Sequence, residues 1–136
     1  MKVCFTGTRL GMSNLQKQGL HDALEELRSS IVLFAHGCCI GADVEAHAIA
    51  REVCGPKLFI AAFPSTAKTR AQVPSDCNFI AKAKPPLERD KDIVDLGKDL
   101  LIAAPLTDQE STRSGTWHTV RYAKKIGVMV LLLSRK

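Results

Sequence analysis

Short apolar runs alternate with amphipathic runs along the whole chain, and this alternation fixes the fold class. Lys2 to Thr6 (KVCFT), Ile31 to Ala35 (IVLFA), Lys57 to Phe63 (KLFIAAF), Asp99 to Ala104 (DLLIAA) and Val128 to Leu133 (VMVLLL) each read as a strand. These runs are apolar on both faces, so the sheet is expected to be parallel and covered on both sides. Between them, Ser13 opens a helix with Gln16 completing a capping box, and Leu15, Leu20, Ala23, Leu24 and Leu27 recur near helical spacing. A second helix carries Val44, Ala46, Ala48, Ile49 and Val53 and stops at Gly55-Pro56. A third runs from about Leu87 to Leu96, and a last one spans Val120 to Ile126 before Gly127. Pro64 to Pro86 has four prolines and no clear period, and reads as irregular. With 136 residues, 46% of them hydrophobic, the chain can bury one core without disulfide staples. The expectation is a single Rossmann-like, doubly wound α/β domain over residues 1–136, with a five-stranded parallel sheet ordered 3-2-1-4-5.

Several function classes are excluded at this level. No apolar run is long enough to cross a bilayer, and Met1-Lys2-Val3 leads straight into a strand. A cytoplasmic protein without membrane contact is expected. The five cysteines are odd in number, and the adjacent Cys38 and Cys39 suit neither a CxxC pair nor a zinc knuckle. Reduced, mostly buried thiols are expected. His36 and His47 have no third ligand at a recognisable spacing, so neither metal nor cofactor is expected. The formal charge of +5 suits a phosphate-bearing ligand or nucleic acid. One Trp, one Tyr and five Phe are thin material for stacking bases.

In doubly wound sheets, ligands sit beyond the carboxyl ends of the strands where the strand order reverses. Here that crevice falls between the loops after the first and fourth strands. The loop after the fourth strand carries Arg113, Ser114, Gly115 and Thr116 immediately before a helix. A Ser-Gly-Thr turn there leaves main-chain N–H groups uncovered at a helix N-terminus, which is where phosphates bind. Its bland alternative is a well-capped helix. The next residue, Trp117, stacks on a base or packs against the sheet. The loop after the first strand offers Gly7 for close approach, the Thr8 hydroxyl, and Arg9 for bidentate phosphate pairing. It is not GxGxxG, so a dinucleotide fingerprint is absent.

The loop after the second strand has Gly37 and Gly41 for a tight turn, then Asp43, Glu45 and His47. Asp43 caps the following helix or accepts from a ribose hydroxyl, with capping the simpler explanation. His47 is expected to pack on its helix. Arg89 reaches the crevice or belongs to a solvated charged face with Glu88, Asp90, Lys91 and Asp92, and composition favours the face.

Together these loops resemble the SLOG superfamily, and within it most closely the Rossmann-like domain of DNA-processing protein A. Gly41-Ala42-Asp43-Val44-Glu45-Ala46-His47 is similar to its Gly-Ile-Asp-Ala-Ala-His pattern. Arg89-Asp90-Lys91-Asp92-Ile93 is similar to its Arg-Asn-x-x-Ile, with Asp90 for Asn. Ser114-Gly115-Thr116-Trp117-His118-Thr119-Val120-Arg121 is similar to its Ser-Gly-Ser/Thr-x-x-Thr-Ala-Arg, and Gly7-Thr8-Arg9 to its Gly-x-Arg. The resemblance implies a Rossmann-like fold with a pocket for nucleotides or nucleotide-derived phosphates, and self-association into a homo-oligomer, with a homodimer expected. The Lonely Guy-type phosphoribohydrolases of the same superfamily carry a catalytic glutamate where this chain has Thr119. Threonine supplies no negative charge beside an oxocarbenium-like centre.

The leading expectation is therefore binding of a nucleotide or nucleotide-derived phosphate, as a sensor or carrier, by Gly7, Thr8, Arg9, Gly37, Gly41, Asp43, Arg89, Arg113, Ser114, Gly115 and Thr116. One alternative is an N-glycosidic-bond hydrolase acting on nucleoside monophosphates, with Glu45 as the candidate catalytic carboxylate. Another is single-stranded DNA binding.

Overall fold

A computed structural model describes residues 1–136. The elements follow in the order β1 (Lys2–Gly7), α1 (Asn14–Leu27), β2 (Leu33–His36), α2 (Ala42–Cys54), β3 (Phe59–Ala62), β4 (Phe79–Ile80), α3 (Pro86–Leu96), β5 (Leu100–Ala104), α4 (Gly115–Lys125) and β6 (Val130–Leu132). Every strand pairing is parallel. The sheet has six strands in the order β4-β3-β2-β1-β5-β6, not the five expected. The additional strand is β4, which lies inside the segment read as irregular and pairs with β3 through Ala61 and Ala62. Two residues are too short to show a period, and Phe79 and Ile80 are both exposed at the sheet edge. With β4 removed, the remaining order is the one the sequence implied.

Strand alternation sorts the core into two layers. Val3 and Phe5 of β1, Phe34 of β2, Ile60 of β3 and Ile102 of β5 pack under α1 and α2, against Leu20, Leu24, Ala46 and Ala50. Cys4, Ala35, Ala61, Leu101 and Ala103 face the opposite way, against Ile93 and Val94 of α3 and Trp117, Val120 and Ala123 of α4. The sheet is thus covered on both sides. Its helices begin as local chemistry dictates. Ser13 Oγ accepts from the Gln16 N–H while Gln16 Oε1 accepts from the Ser13 N–H, a complete capping box. Pro86 supplies the first residue of α3, where its missing N–H costs nothing.

The chain moves outward from β1 to β4, then returns across the sheet to β5 on the other side of β1. The order therefore reverses between β1 and β5, whose carboxyl ends meet at the Gly7–Ala104 pair. Cys4 and Cys38 are buried and the other three cysteines are partly exposed, so the thiols are less uniformly buried than expected; all five are free. No helix is long and apolar enough to cross a membrane.

Candidate functional site

Because the strands run parallel, the loops after β1, β2 and β5 emerge on one edge of the sheet, and they enclose a cavity of about 490 Å³. Gly7, Thr8 and Arg9 line it from the first loop, and Gly37, Cys39 and Asp43 from the second. Arg113, Ser114, Gly115 and Thr116 line it from the third, and Arg89 and Asp90 of α3 complete the wall. Phe5, Leu87, Ile93 and Leu106 add apolar surface. Residues spread over more than a hundred positions of sequence are thus brought to one concave site at the switch point.

The α4 end of the cavity is both capped and open. Ser114 Oγ accepts from the Trp117 N–H at 3.2 Å, and the Ser114 carbonyl accepts from the His118 N–H at 3.0 Å. The Gly115 and Thr116 N–H groups have no partner within the chain. A Cβ placed on Gly115 would meet nothing within 4 Å, so no side chain plugs the space above it. These two donors and the positive end of the helix dipole face a cavity whose rim carries Arg9 and Arg113. Both arginines are exposed and neither forms an ion pair. Trp117 is packed in the core at 4% exposure, and its Nε1–H donates to the Thr107 carbonyl, so it is not a stacking surface for a base.

The opposite wall is a buried polar network. Arg89 is 7% exposed and belongs to no solvated face, contrary to what the charge run suggested. Its Nε–H donates to Asp90 Oδ1 at 2.8 Å, Nη1 donates to the Gly37 and Phe63 carbonyls, and Nη2 lies 3.6 Å from Cys39 Sγ. Burial works against its charge, but Asp90, Cys39 and Asp43 outweigh it and hold the guanidinium above its ordinary value. Asp43 is the second residue of α2, not its cap; Gly41 occupies the cap position, with no side-chain cap bond. Asp43 Oδ2 instead accepts from the Cys39 N–H at 3.0 Å, and its Oδ1 is buried without a partner. Desolvation pushes the Asp43 carboxyl up to about 7, against the opposing pull of the Cys39 N–H and Arg89.

Two expected site residues lie elsewhere. Gly41 is absent from the cavity wall; its φ of +88° and its approach to the Arg9 main chain give it a packing role. A Cβ there would sit 2.3 Å from the Arg9 carbonyl oxygen. Glu45 turns away as well. Its Oε1 accepts from the Met12 N–H at 2.7 Å and its Oε2 pairs with Lys17 at 3.2 Å, so both oxygens are engaged outside the cavity wall. Gly7 and Gly37 do line the cavity, but their missing side chains also make room within the protein. An added Cβ would lie 2.5 Å from Ala42 Cβ in the first case and 2.5 Å from Arg89 Nη1 in the second.

Nothing in the sequence marks Cys39 as a wall residue, or points to the hydrogen-bonded chain behind it. The Cys38 N–H donates to His36 Nδ1 at 3.0 Å, which makes His36 Nε2 the donor to His47 Nδ1 at 2.8 Å. His47 Nε2 then donates to Asp76 Oδ1 at 2.7 Å. Burial, with help from His47 and Arg89, pushes His36 down to about 3, so it is neutral and the tautomers are fixed. His47 is therefore not merely packed on its helix but ties the pocket loop to Asp76. Only the spacing of His36 and His47 was visible in the sequence; Asp76 lies in the segment without a period.

No family model matches the chain, and no curated protein matches it in sequence. Solved structures do match in fold. DNA processing protein A from Streptococcus pneumoniae aligns at a TM-score of 0.70 and 19% identity over 96% of this chain and 49% of its own, so the chain spans about half the length of that protein. The molybdenum cofactor binding protein from Rippkaea orientalis aligns at 0.68 and 13% identity, over 96% of this chain and 74% of its own. The Moco carrier protein from Chlamydomonas reinhardtii aligns at 0.63 and 16%, over 98% of this chain and 76% of its own. The likeness covers nearly all of this chain in each case, and the chain shares their Rossmann-like fold.

Proposed function

We propose that the protein binds a nucleotide or nucleotide-derived phosphate as a sensor or carrier. The observation that carries this reading is the unplugged α4 terminus: two free main-chain donors and two unpaired arginines share one cavity. A phosphate placed there accepts from the Gly115 and Thr116 N–H groups while Arg9 and Arg113 close over it from the rim. The apolar patch from Phe5, Leu87, Ile93 and Leu106 leaves room for the nonphosphate part of the ligand. The fold is shared with a molybdenum cofactor binding protein and a Moco carrier protein, which is compatible with ligand binding or carriage here. Glu45 is turned away and position 119 is threonine, which weighs against glycosidic hydrolysis through either position. The test is calorimetric titration with AMP, GMP, CMP and UMP. Wild-type protein should bind at least one of them, and Gly115→Leu should lose at least about tenfold in affinity at unchanged melting temperature. Equal affinities in the two proteins would remove the phosphate from this site.

A further inference from the structure

The carboxyl group of Asp43 is the one polar side chain of the cavity wall left with an unsatisfied buried atom. Asp43 is 4% exposed. Oδ2 is spent on the Cys39 N–H, and Oδ1 has no partner. The nearby Arg89 guanidinium favours the ionised form but makes no hydrogen bond to it. Arg89 pairs with Asp90 and spends its other donors on the Gly37 and Phe63 carbonyls and the Cys39 sulfur. An ionised Asp43 is therefore a buried negative charge without a direct ion-pair contact, in a cavity otherwise suited to an anion.

We propose that Asp43 meets the bound phosphate ligand as a neutral carboxylic acid, so that wherever the free carboxyl is ionised each ligand enters with one proton taken from solvent, and Oδ1–H donates to an acceptor on the ligand. This rests on the phosphate-binding reading of the cavity. The groups that bear on Asp43 are Arg89 and Asp90 from α3 and, from its own loop, the Gly37 and Cys39 N–H groups and the Cys38 thiol. Without ligand their sum, dominated by burial, leaves Asp43 titrating near 7. A phosphate dianion in the same cavity adds like charge and raises it further. Proton uptake then follows by linkage. Below about pH 7 the free protein already carries the proton, and affinity is flat. Above it, the proton must be acquired on binding, and affinity falls by up to tenfold per pH unit. The ligand itself does not cause this slope, because a phosphate monoester loses its second proton near pH 6 and is a dianion throughout this range.

The experiment is titration with the tightest-binding nucleoside monophosphate from pH 6.5 to 9, for wild type and Asp43→Asn. Asparagine keeps an oxygen for the Cys39 N–H and presents a permanent N–H donor where Oδ1–H would stand. Wild type should weaken about tenfold or more between pH 7 and 9, while Asp43→Asn stays within about twofold of the low-pH wild-type affinity throughout. On the wild type alone, calorimetry at pH 8 in buffers of different ionisation heat should show uptake approaching one proton per ligand. This second readout stands even if the variant fails to fold. A flat wild-type profile without proton uptake would overturn the proposal and leave the phosphate site intact. So would a folded Asp43→Asn that loses binding at every pH, because the ligand would then require the carboxylate. Failure of every nucleoside monophosphate to bind at any pH would overturn the phosphate reading, and this inference with it.

Discussion

Gly41 and Gly115 are the same residue in opposite surroundings, and they separate structure from recognition at the residue scale. Gly41 combines positive φ with a wall of main chain 2.3 Å from where a Cβ would stand. Gly41→Ala should therefore cost about 2–4 kcal/mol, read as a lower urea midpoint. Gly115 faces open space at the first position of α4, so Gly115→Ala should leave stability within about 0.5 kcal/mol of wild type. Equal losses at both positions would show that the space above Gly115 is not open. The same contrast explains what the sequence could reveal. Gly7, Gly37, Gly41 and Gly115 all belong, by sequence, to the expected ligand-binding set. Sequence alone cannot say whether the body approaching a glycine is a phosphate, a helix or another loop. For Gly41 it is the Arg9 main chain, and Gly37 also makes room for Arg89. The direction of a side chain is equally hidden. Asp43 and Glu45 are two residues apart near the start of α2, yet one lines the cavity and the other braces the Met12 loop.

At the scale of the element, α4 decides the site. Its cap and its free donors coexist because Ser114 Oγ satisfies only the third helical N–H, that of Trp117. Ser114→Asp preserves a capping oxygen and should hold melting temperature within a few degrees, while a negative charge at the cradle should weaken nucleoside monophosphate binding about tenfold or more. Unchanged affinity would mean that the phosphate lies away from α4. The element boundaries that sequence made legible are those written in local chemistry: the Ser13–Gln16 box, Gly55 at the end of α2 and Gly127 just beyond α4. The edge strand β4 was not legible, because its position depends on distant partners. Asn78 Oδ1 accepts from the Ile60 N–H and from Arg51 Nη2, and Asp76 reaches His47 and Arg51. Those bonds tie residues 76–80 to β3 and α2, and no window of local sequence contains them.

For the whole molecule, topology does the assembling. A parallel sheet whose order reverses beside β1 must bring its β1 and β5 loops together, so the approximate place of the cavity was readable from the strand order alone. The burial of Arg89 was not, because a charge run reads as solvated until α3 is docked against β2 and Gly37 is seen to make room for it. The net charge of +5 acts at this scale too, but the local share can be isolated. Replacing both Arg9 and Arg113 by alanine should weaken nucleotide binding by about tenfold or more and flatten its dependence on salt, with little change in melting temperature. An unaltered salt dependence would assign the attraction to the general field of the molecule. The most direct measurement is a two-dimensional ¹H–¹⁵N NMR titration of the protein with a nucleoside monophosphate. A phosphate seated on α4 should move the Gly115 and Thr116 amide resonances most, with Thr8 and Arg9 following. Saturating shifts confined to residues outside the cavity, with Gly115 and Thr116 unmoved, would contradict it.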